Sequence, residues 1–318
     1  MTMKTEHVLQ ECLNYVKEKL NGREPESPEE VEDLINEYMQ KYQDIQTSRP
    51  PVEVTPENAR NVYDWLELAE NARTQKQERQ YLEKARQLEP KNLDVLVQLM
   101  LLDSRKKSFQ ILKELEDLLV IGKKDLQERK LYKESMGDFY LVLETRPYMR
   151  TLSMYLGALK ENFMIQKAIS VAKEMLKLNK MDNLGARYEL MALYVYTEDE
   201  FNARKLLRQF SDEKESGWFQ LPMALLYYRL EKWDEAQKLI EALKKEYKAT
   251  TFKEFITEKA GSFNFVRDEG PDYYEPYTRS ELESIYESNL FLWLPSVNFF
   301  EWVKEALKPA KKKTAVKK

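Results

Sequence analysis

The 318-residue sequence predicts an all-α protein made of paired helices that recur along the chain. Glycine is scarce, with 8 residues against a usual share of about 7%. Lys, Glu, Leu, Gln, Ala and Met, which favour helices, are abundant. No segment alternates apolar and polar residues for long enough to indicate a strand. Similar segments also recur at spacings of 33 and 35 residues, which is typical of a helical-repeat architecture.

The composition limits the chemistry that this chain can perform. Because 42% of the residues are hydrophobic and 33% are charged, the chain can bury a core. One histidine, His7, and one cysteine, Cys12, cannot supply a four-ligand zinc site or an intrachain disulfide. A Ser-His-Asp triad is not expected either, since the lone histidine lies near the start of the sequence. The net charge of −4 gives the whole chain no bias toward nucleic acid.

Residues 1–50 are predicted to form a helical N-terminal segment followed by a linker. An apolar pattern at helical spacing over residues 8–20, followed by an Asn-Gly pair, predicts a first helix and its C-cap. Ser27 is a good N-cap and Pro28 fits a first helical turn, so a second helix is expected to run to about residue 42. A pair of prolines then indicates the linker.

No leader peptide or membrane-spanning segment is predicted. The first ten residues lack a long apolar core. The longest apolar-rich stretch, from Asn289 to Val303, contains Pro295 and is too short to span a bilayer. The expected location is therefore the cytoplasm.

Residues 51–250 are predicted to form the repeat region. Three segments align on Ala168, Ala203 and Ala236, each preceded by a first helix of matching length. An earlier segment, from Trp65 to Pro90, fits the same template. Small residues on the second helix let the two helices pack closely, and one pair cannot bury its apolar face alone. The pattern is that of the tetratricopeptide repeat, which predicts a right-handed superhelix whose first helices line a concave face. The alternative is an ordinary helical bundle with accidental spacing.

The remaining segments are also predicted to be helical or polar. Helices are expected near residues 92–103, 107–121 and 125–144. Residues 251–308 are predicted to form an aromatic loop over 261–279 and two helices, about 279–291 and 296–308, that cap the solenoid. This segment could instead gate the groove or present an apolar patch to a partner. Residues 309–318 are predicted to be a disordered basic tail, with electrostatic contact to nucleic acid or anionic lipid as the weaker alternative.

Several segments are more specific than the repeat pattern. They are ETRPYMR at 144–150, DNLGARY at 182–188, VYDWLELA at 62–69, which precedes EPKNLD at 89–94, and the tail element at 270–274. Together these segments resemble a bacterial family of uncharacterised tetratricopeptide-repeat proteins, and the first two are similar to the eukaryotic suppressor-of-tumorigenicity-seven family. The resemblance covers about 60–248 and extends to about residue 290. It implies a tetratricopeptide-like fold and no known catalytic residue.

The chain departs from the family pattern in two turns. Residues 179–183 and 274–277 differ from the family's usual turn sequences, and the second lacks a turn glycine. Eukaryotic relatives resemble membrane-associated proteins, but membrane residence is not carried over because no spanning segment is predicted.

The candidate binding site is a group of arginine, tyrosine and serine side chains expected on the concave face. Arg146 and Arg150 lie about one helical turn apart, and Arg187 begins the next first helix. Guanidinium groups suit a peptide carboxylate or an acidic side chain. The alternative is that these groups form structural ion pairs, Arg146 with Glu144 or Arg187 with Asp182, and that some tyrosines are buried. The full predicted set is Arg146, Arg150, Ser153, Arg187, Tyr188, Tyr228 and Arg229.

The sequence therefore predicts a non-enzymatic adaptor that binds a peptide or protein segment on the concave face. No cofactor and no metal are expected, and nucleic acid is not expected as a partner. Asp182 or Asn183 is predicted to cap the following helix, and Asp234 and Glu235 are predicted to lie at a helix start, where the helix dipole favours acidic side chains. The alternative function is that of an accessory subunit of an enzyme or of a nucleic-acid-associated complex.

Overall fold

The computed structural model describes residues 3–48, 54–103, 106–260 and 274–308, with the side chains of 3–7 and 43–48 excepted. Every regular element in these ranges is a helix, which confirms the all-α prediction. The chain divides into two compact units. Unit 1 comprises residues 1–158 and 178–181, and unit 2 comprises 159–177 and 182–318. This division falls within a helix.

Unit 1 is a series of helices packed on their neighbours in the sequence. The first helix contacts the second and third, and successive pairs from the third to the seventh are also in contact. The core around the third and fourth helices includes Leu66, Leu82 and Val95, all fully buried. The helices are α1 (Met3–Leu20), α2 (Pro28–Ser48), α3 (Val62–Glu70), α4 (Gln75–Leu88), α5 (Leu93–Leu101), α6 (Ser108–Glu128), the short α7 (Leu131–Glu134) and α8 (Arg146–Glu161), which ends in unit 2.

The predicted helix over 125–144 is wrong. α6 runs on to Glu128, α7 has only four residues, and the chain then leaves helical geometry. The helix is interrupted first at Lys130, which has left-handed backbone with φ of 63°, and again at Gly137, whose φ of 104° few other residues adopt. The Gly137 amide donates to the Leu178 carbonyl at 3.0 Å, and the Lys180 amide donates to the Gly137 carbonyl at 2.7 Å. These bonds replace the helical ones that the sequence pattern predicted.

In unit 2 the same interhelical turn occurs three times. Phe163, Glu198 and Glu231 each have left-handed backbone, with φ of 54°, 55° and 57°. The amide that follows each of them donates to a carbonyl five residues earlier, at 2.8 to 2.9 Å. The aligned alanines of the next helices are fully buried. The unit contains α9 (Ile165–Leu178), α10 (Ala186–Tyr196), α11 (Glu200–Gln209), α12 (Gly217–Arg229), α13 (Trp233–Glu246) and α14 (Ala249–Lys259).

The C-terminal segment of unit 2 packs across several of these helices. It consists of α15 (Arg279–Ser288), α16 (Leu290–Trp293) and α17 (Val297–Ala306). α15 contacts α12 and α14, α16 contacts α10, and α17 contacts α13 and α14. Trp293, Phe299 and Phe300 are buried in this packing. The C-terminal segment therefore packs on helices from several pairs and not only on the last pair, as a simple end cap would. Most of the predicted aromatic loop and the whole basic tail lie outside the described residues.

No helix in the described ranges is long and apolar enough to cross a bilayer.

Candidate binding site

In unit 1 the predicted arginines are engaged by groups of the protein itself. Arg150 forms a two-pronged ion pair with the buried Asp94, and its Nε donates to Asp94 Oδ1 at 2.9 Å. The buried Arg146 donates from Nε to the Tyr140 carbonyl at 2.8 Å and lies over the Tyr140 ring. Ser153 is half-buried on the same helix. The two-pronged geometry is a strong, specific use of a guanidinium group, and here a carboxylate of the chain occupies it.

In unit 2 Arg187 is the centre of a network with two carboxylates. Its Nη1 donates to Asp182 Oδ2 at 2.8 Å, and its Nη2 donates to Glu213 Oε1 at 2.9 Å. The guanidinium also lies 4.3 Å from the centroid of the Tyr188 ring. The Tyr188 hydroxyl donates to Glu213. The alternative ion pair with Asp182 that the sequence suggested is therefore present.

Two pKa shifts accompany this network. Burial raises the pKa of the Asp182 carboxyl, and hydrogen bonds from the backbone and side chain of Arg187 oppose that shift. Burial and the hydrogen bond to Glu213 raise the pKa of the Tyr188 hydroxyl above its ordinary value. Asp182 also accepts from the amides of Ala186 and Arg187, at 2.8 and 2.9 Å. Asp182 thus caps the first amides of α10, as the sequence predicted, although it lies three residues before the N-cap position, Gly185.

Tyr228 and Arg229 are covered by the C-terminal segment. Arg229 donates to Ser296 Oγ at 2.6 Å and to the Val195 carbonyl at 3.2 Å. The Tyr228 ring packs against Trp302 and Phe299, with centroids 5.3 and 5.5 Å away. These two side chains therefore stabilise the fold of unit 2.

A cleft in unit 1 has a volume of about 620 Å³ and is partly enclosed. It lies where the starts of α3, α5 and α8 meet the ends of α4 and α6, beside α1. Its lining residues are Gln10, Asn14, Asn61, Val62, Tyr63, Leu88, Glu89, Pro90, Lys91, Asn92, Leu93, Gly122, Asp125, Leu126, Arg129, Glu144, Pro147 and Tyr148.

Local sequence features place the walls of this cleft. Asn61 accepts hydrogen bonds from the amides of Tyr63 and Asp64 and so begins α3. Asn92 begins α5 in the same way. Gly122 allows α6 to lie close to the start of α5, because a Cβ at this position would lie 2.4 Å from Leu93 Cδ1. The cleft therefore depends on two helix caps and one close approach.

The cleft joins three of the segments that the sequence analysis singled out. VYDWLELA contributes Val62 and Tyr63, EPKNLD contributes its first five residues, and ETRPYMR contributes Glu144, Pro147 and Tyr148. None of the seven predicted site residues lines it. The helical periodicity of the sequence indicates on which face of a helix each side chain lies. A cleft between helix ends depends instead on how the helices pack against one another, which the periodicity does not indicate. The three unusual segments were the signal in the sequence that could have identified it.

In the described part of the chain, no group of three or more His, Cys, Asp or Glu side chains could hold a metal ion. Comparison of the chain with known protein families, curated proteins and solved structures finds no match. The family resemblance of the five segments therefore stays a prediction.

Proposed function

We propose that this protein is a non-enzymatic adaptor that binds a peptide or protein segment in the cleft of unit 1. We also propose that its helix pairs are tetratricopeptide-like repeats of the right-handed solenoid type. The recurring turn after the first helix of each pair, with its buried alanine, supports the repeat assignment. The convergence of three specific sequence segments in one cleft is the observation that carries the binding function.

The cleft is only partly enclosed, and its lining suits a peptide better than a small molecule that requires a closed pocket. Two tyrosines, Tyr63 and Tyr148, lie in its apolar walls together with leucine, valine and proline side chains. Tyrosine is enriched among the residues that anchor protein interfaces. Asparagine, glutamine and charged groups also line the cleft, a mixture that offers hydrogen bonds to a backbone.

The predicted concave-face site in unit 2 has a different role in this proposal. Tyr228 and Arg229 contact residues of the C-terminal segment, so a guest on this face would have to displace buried aromatic side chains. The large apolar area involved makes such displacement costly. We therefore assign binding to unit 1 and assign the C-terminal segment to the stability of unit 2.

Filling the cleft is expected to abolish peptide binding without unfolding the protein. Asn14 lines the cleft from an exposed position on α1, so Asn14→Trp adds an indole there and removes no buried contact. Peptides would first be selected on the full-length protein from a phage library of random heptapeptides. The variant is expected to bind the selected peptides at least about tenfold more weakly, because the indole occupies their volume. Fluorescence anisotropy of labelled synthetic peptides measures this.

Lys17→Trp is the matched control for Asn14→Trp. Lys17 is exposed on the same helix and does not line the cleft. This variant is expected to bind the peptides like the unmodified protein. Equal binding by all three proteins would show that the peptides bind elsewhere and would refute the cleft assignment.

A further inference from the structure

We infer that the bound peptide carries a lysine or arginine side chain, which pairs with the carboxylate of Glu144 in the cleft of unit 1. This inference rests on the proposed peptide binding and names the chemistry of the partner. The arginines in the sequence had suggested an acidic ligand, and the ligand inferred here carries the opposite charge.

The positive charges of the cleft already have partners. Lys91 Nζ lies 2.9 Å from Glu128 Oε2 and 3.2 Å from Asp125 Oδ1. Arg129 Nη1 lies 3.3 Å from Asp125 Oδ2. An incoming carboxylate or phosphate would therefore have to compete with carboxylates of the protein for these two cations.

The negative charges of the cleft are less fully paired. Three acidic and two basic residues line it, so the lining carries a net negative charge. Glu89 accepts a hydrogen bond from Asn92 Nδ2 at 2.8 Å, and Asp125 pairs with both cations. Glu144 is exposed, and the structure gives its carboxylate no partner among the described residues. An incoming cation thus finds an unpaired carboxylate.

The position of Glu144 suits it to this role. It lies two residues before the start of α8 and is exposed where it lines the cleft. Pro147 and Tyr148, three and four residues later, line the same cleft. The long aliphatic part of a lysine or arginine side chain can pack along such apolar surface while its charged end reaches the carboxylate. Glu144 and Tyr148 together therefore fit a basic side chain.

The same heptapeptide library, selected on the full-length protein, tests this inference. We expect lysine or arginine to be enriched at one position of the peptides whose binding Asn14→Trp abolishes. Glu144→Gln is expected to lower the affinity for these peptides about tenfold, because it removes one charge-assisted hydrogen bond. Their affinity for the unmodified protein should also fall as salt is raised, and less so for the variant.

Glu70→Gln is the control, because Glu70 is an exposed residue of α3 that does not line the cleft. It should leave the affinity unchanged. If the cleft-dependent peptides are acidic, or keep their affinity in Glu144→Gln, the inference is wrong while the proposed binding function stands. If no selected peptide depends on the cleft, both are wrong.

Discussion

Trp293→Ala in the full-length protein is expected to lower the free energy of unfolding of unit 2 by about 3 to 5 kcal/mol. Trp293 is 1% exposed, and its ring lies 5.8 Å from Phe300 and 6.5 Å from Tyr286. Its Nε1 donates to the Ile285 carbonyl at 3.3 Å. Truncation leaves a cavity between α15 and α17 and removes one of the two side-chain hydrogen bonds to the Ile285 carbonyl, which still accepts from Asn289 Nδ2 at 3.1 Å. Both losses destabilise the folded state. Urea unfolding followed by far-UV circular dichroism measures the change.

Trp233→Ala provides a control with the same substitution. Trp233 is 46% exposed at the start of α13, although its ring also packs near Tyr228 and Trp302. Partial exposure should limit its loss to about 1 kcal/mol. Losses of equal size in the two variants would contradict the conclusion that the C-terminal segment is a buried part of unit 2.

Arg187→Met is expected to destabilise unit 2 by about 3 kcal/mol at pH 7. The substitution retains a long apolar side chain but removes the cation between Asp182 and Glu213. Asp182 is 4% exposed, so the variant leaves a buried carboxylate whose charge is no longer compensated by a side chain. Glu213 is more exposed, and water can solvate it. Urea unfolding at pH 7 measures the loss.

The loss in Arg187→Met should depend on pH with a defined sign. Burial already raises the pKa of Asp182, and removal of Arg187 takes away interactions that oppose the shift. In the variant, the folded protein therefore holds this proton to a higher pH than the unfolded chain does. Its stability relative to the unmodified protein should fall as the pH rises through the raised pKa of Asp182. Unfolding at pH 4.5 and pH 7 is expected to show the smaller difference at pH 4.5.

Arg204→Met is the matched control for the arginine variant. Arg204 pairs with Glu200 at 3.5 Å, but more than half of its side chain is exposed. Exposed pairs of this kind contribute at most about 1 kcal/mol. A loss of similar size in both variants, or a loss in Arg187→Met that does not change with pH, would refute the role assigned to the Asp182 pair.

The local helix signals in the sequence were mostly reliable. The Asn-Gly pair after α1 has left-handed backbone at both residues, and α2 begins at Pro28 as expected. These features depend on interactions between residues at most five positions apart, so the sequence contains them directly. The prediction failed over 125–144, where the backbone is left-handed at Lys130 and Gly137 bonds to residues about forty positions later. No local pattern reports such a contact.

By itself, the sequence determined the all-α class, most helix starts and the positions where the interhelical turns recur. Tertiary structure alone decided which side chains are available to a partner. Arg150 is neutralised by Asp94, 56 residues away, and Arg229 is held by Ser296, 67 residues away. Tertiary structure also brought three separate segments to one cleft. The physical reason is that helix formation is local, whereas ion pairing and cleft geometry depend on the packing of distant helices.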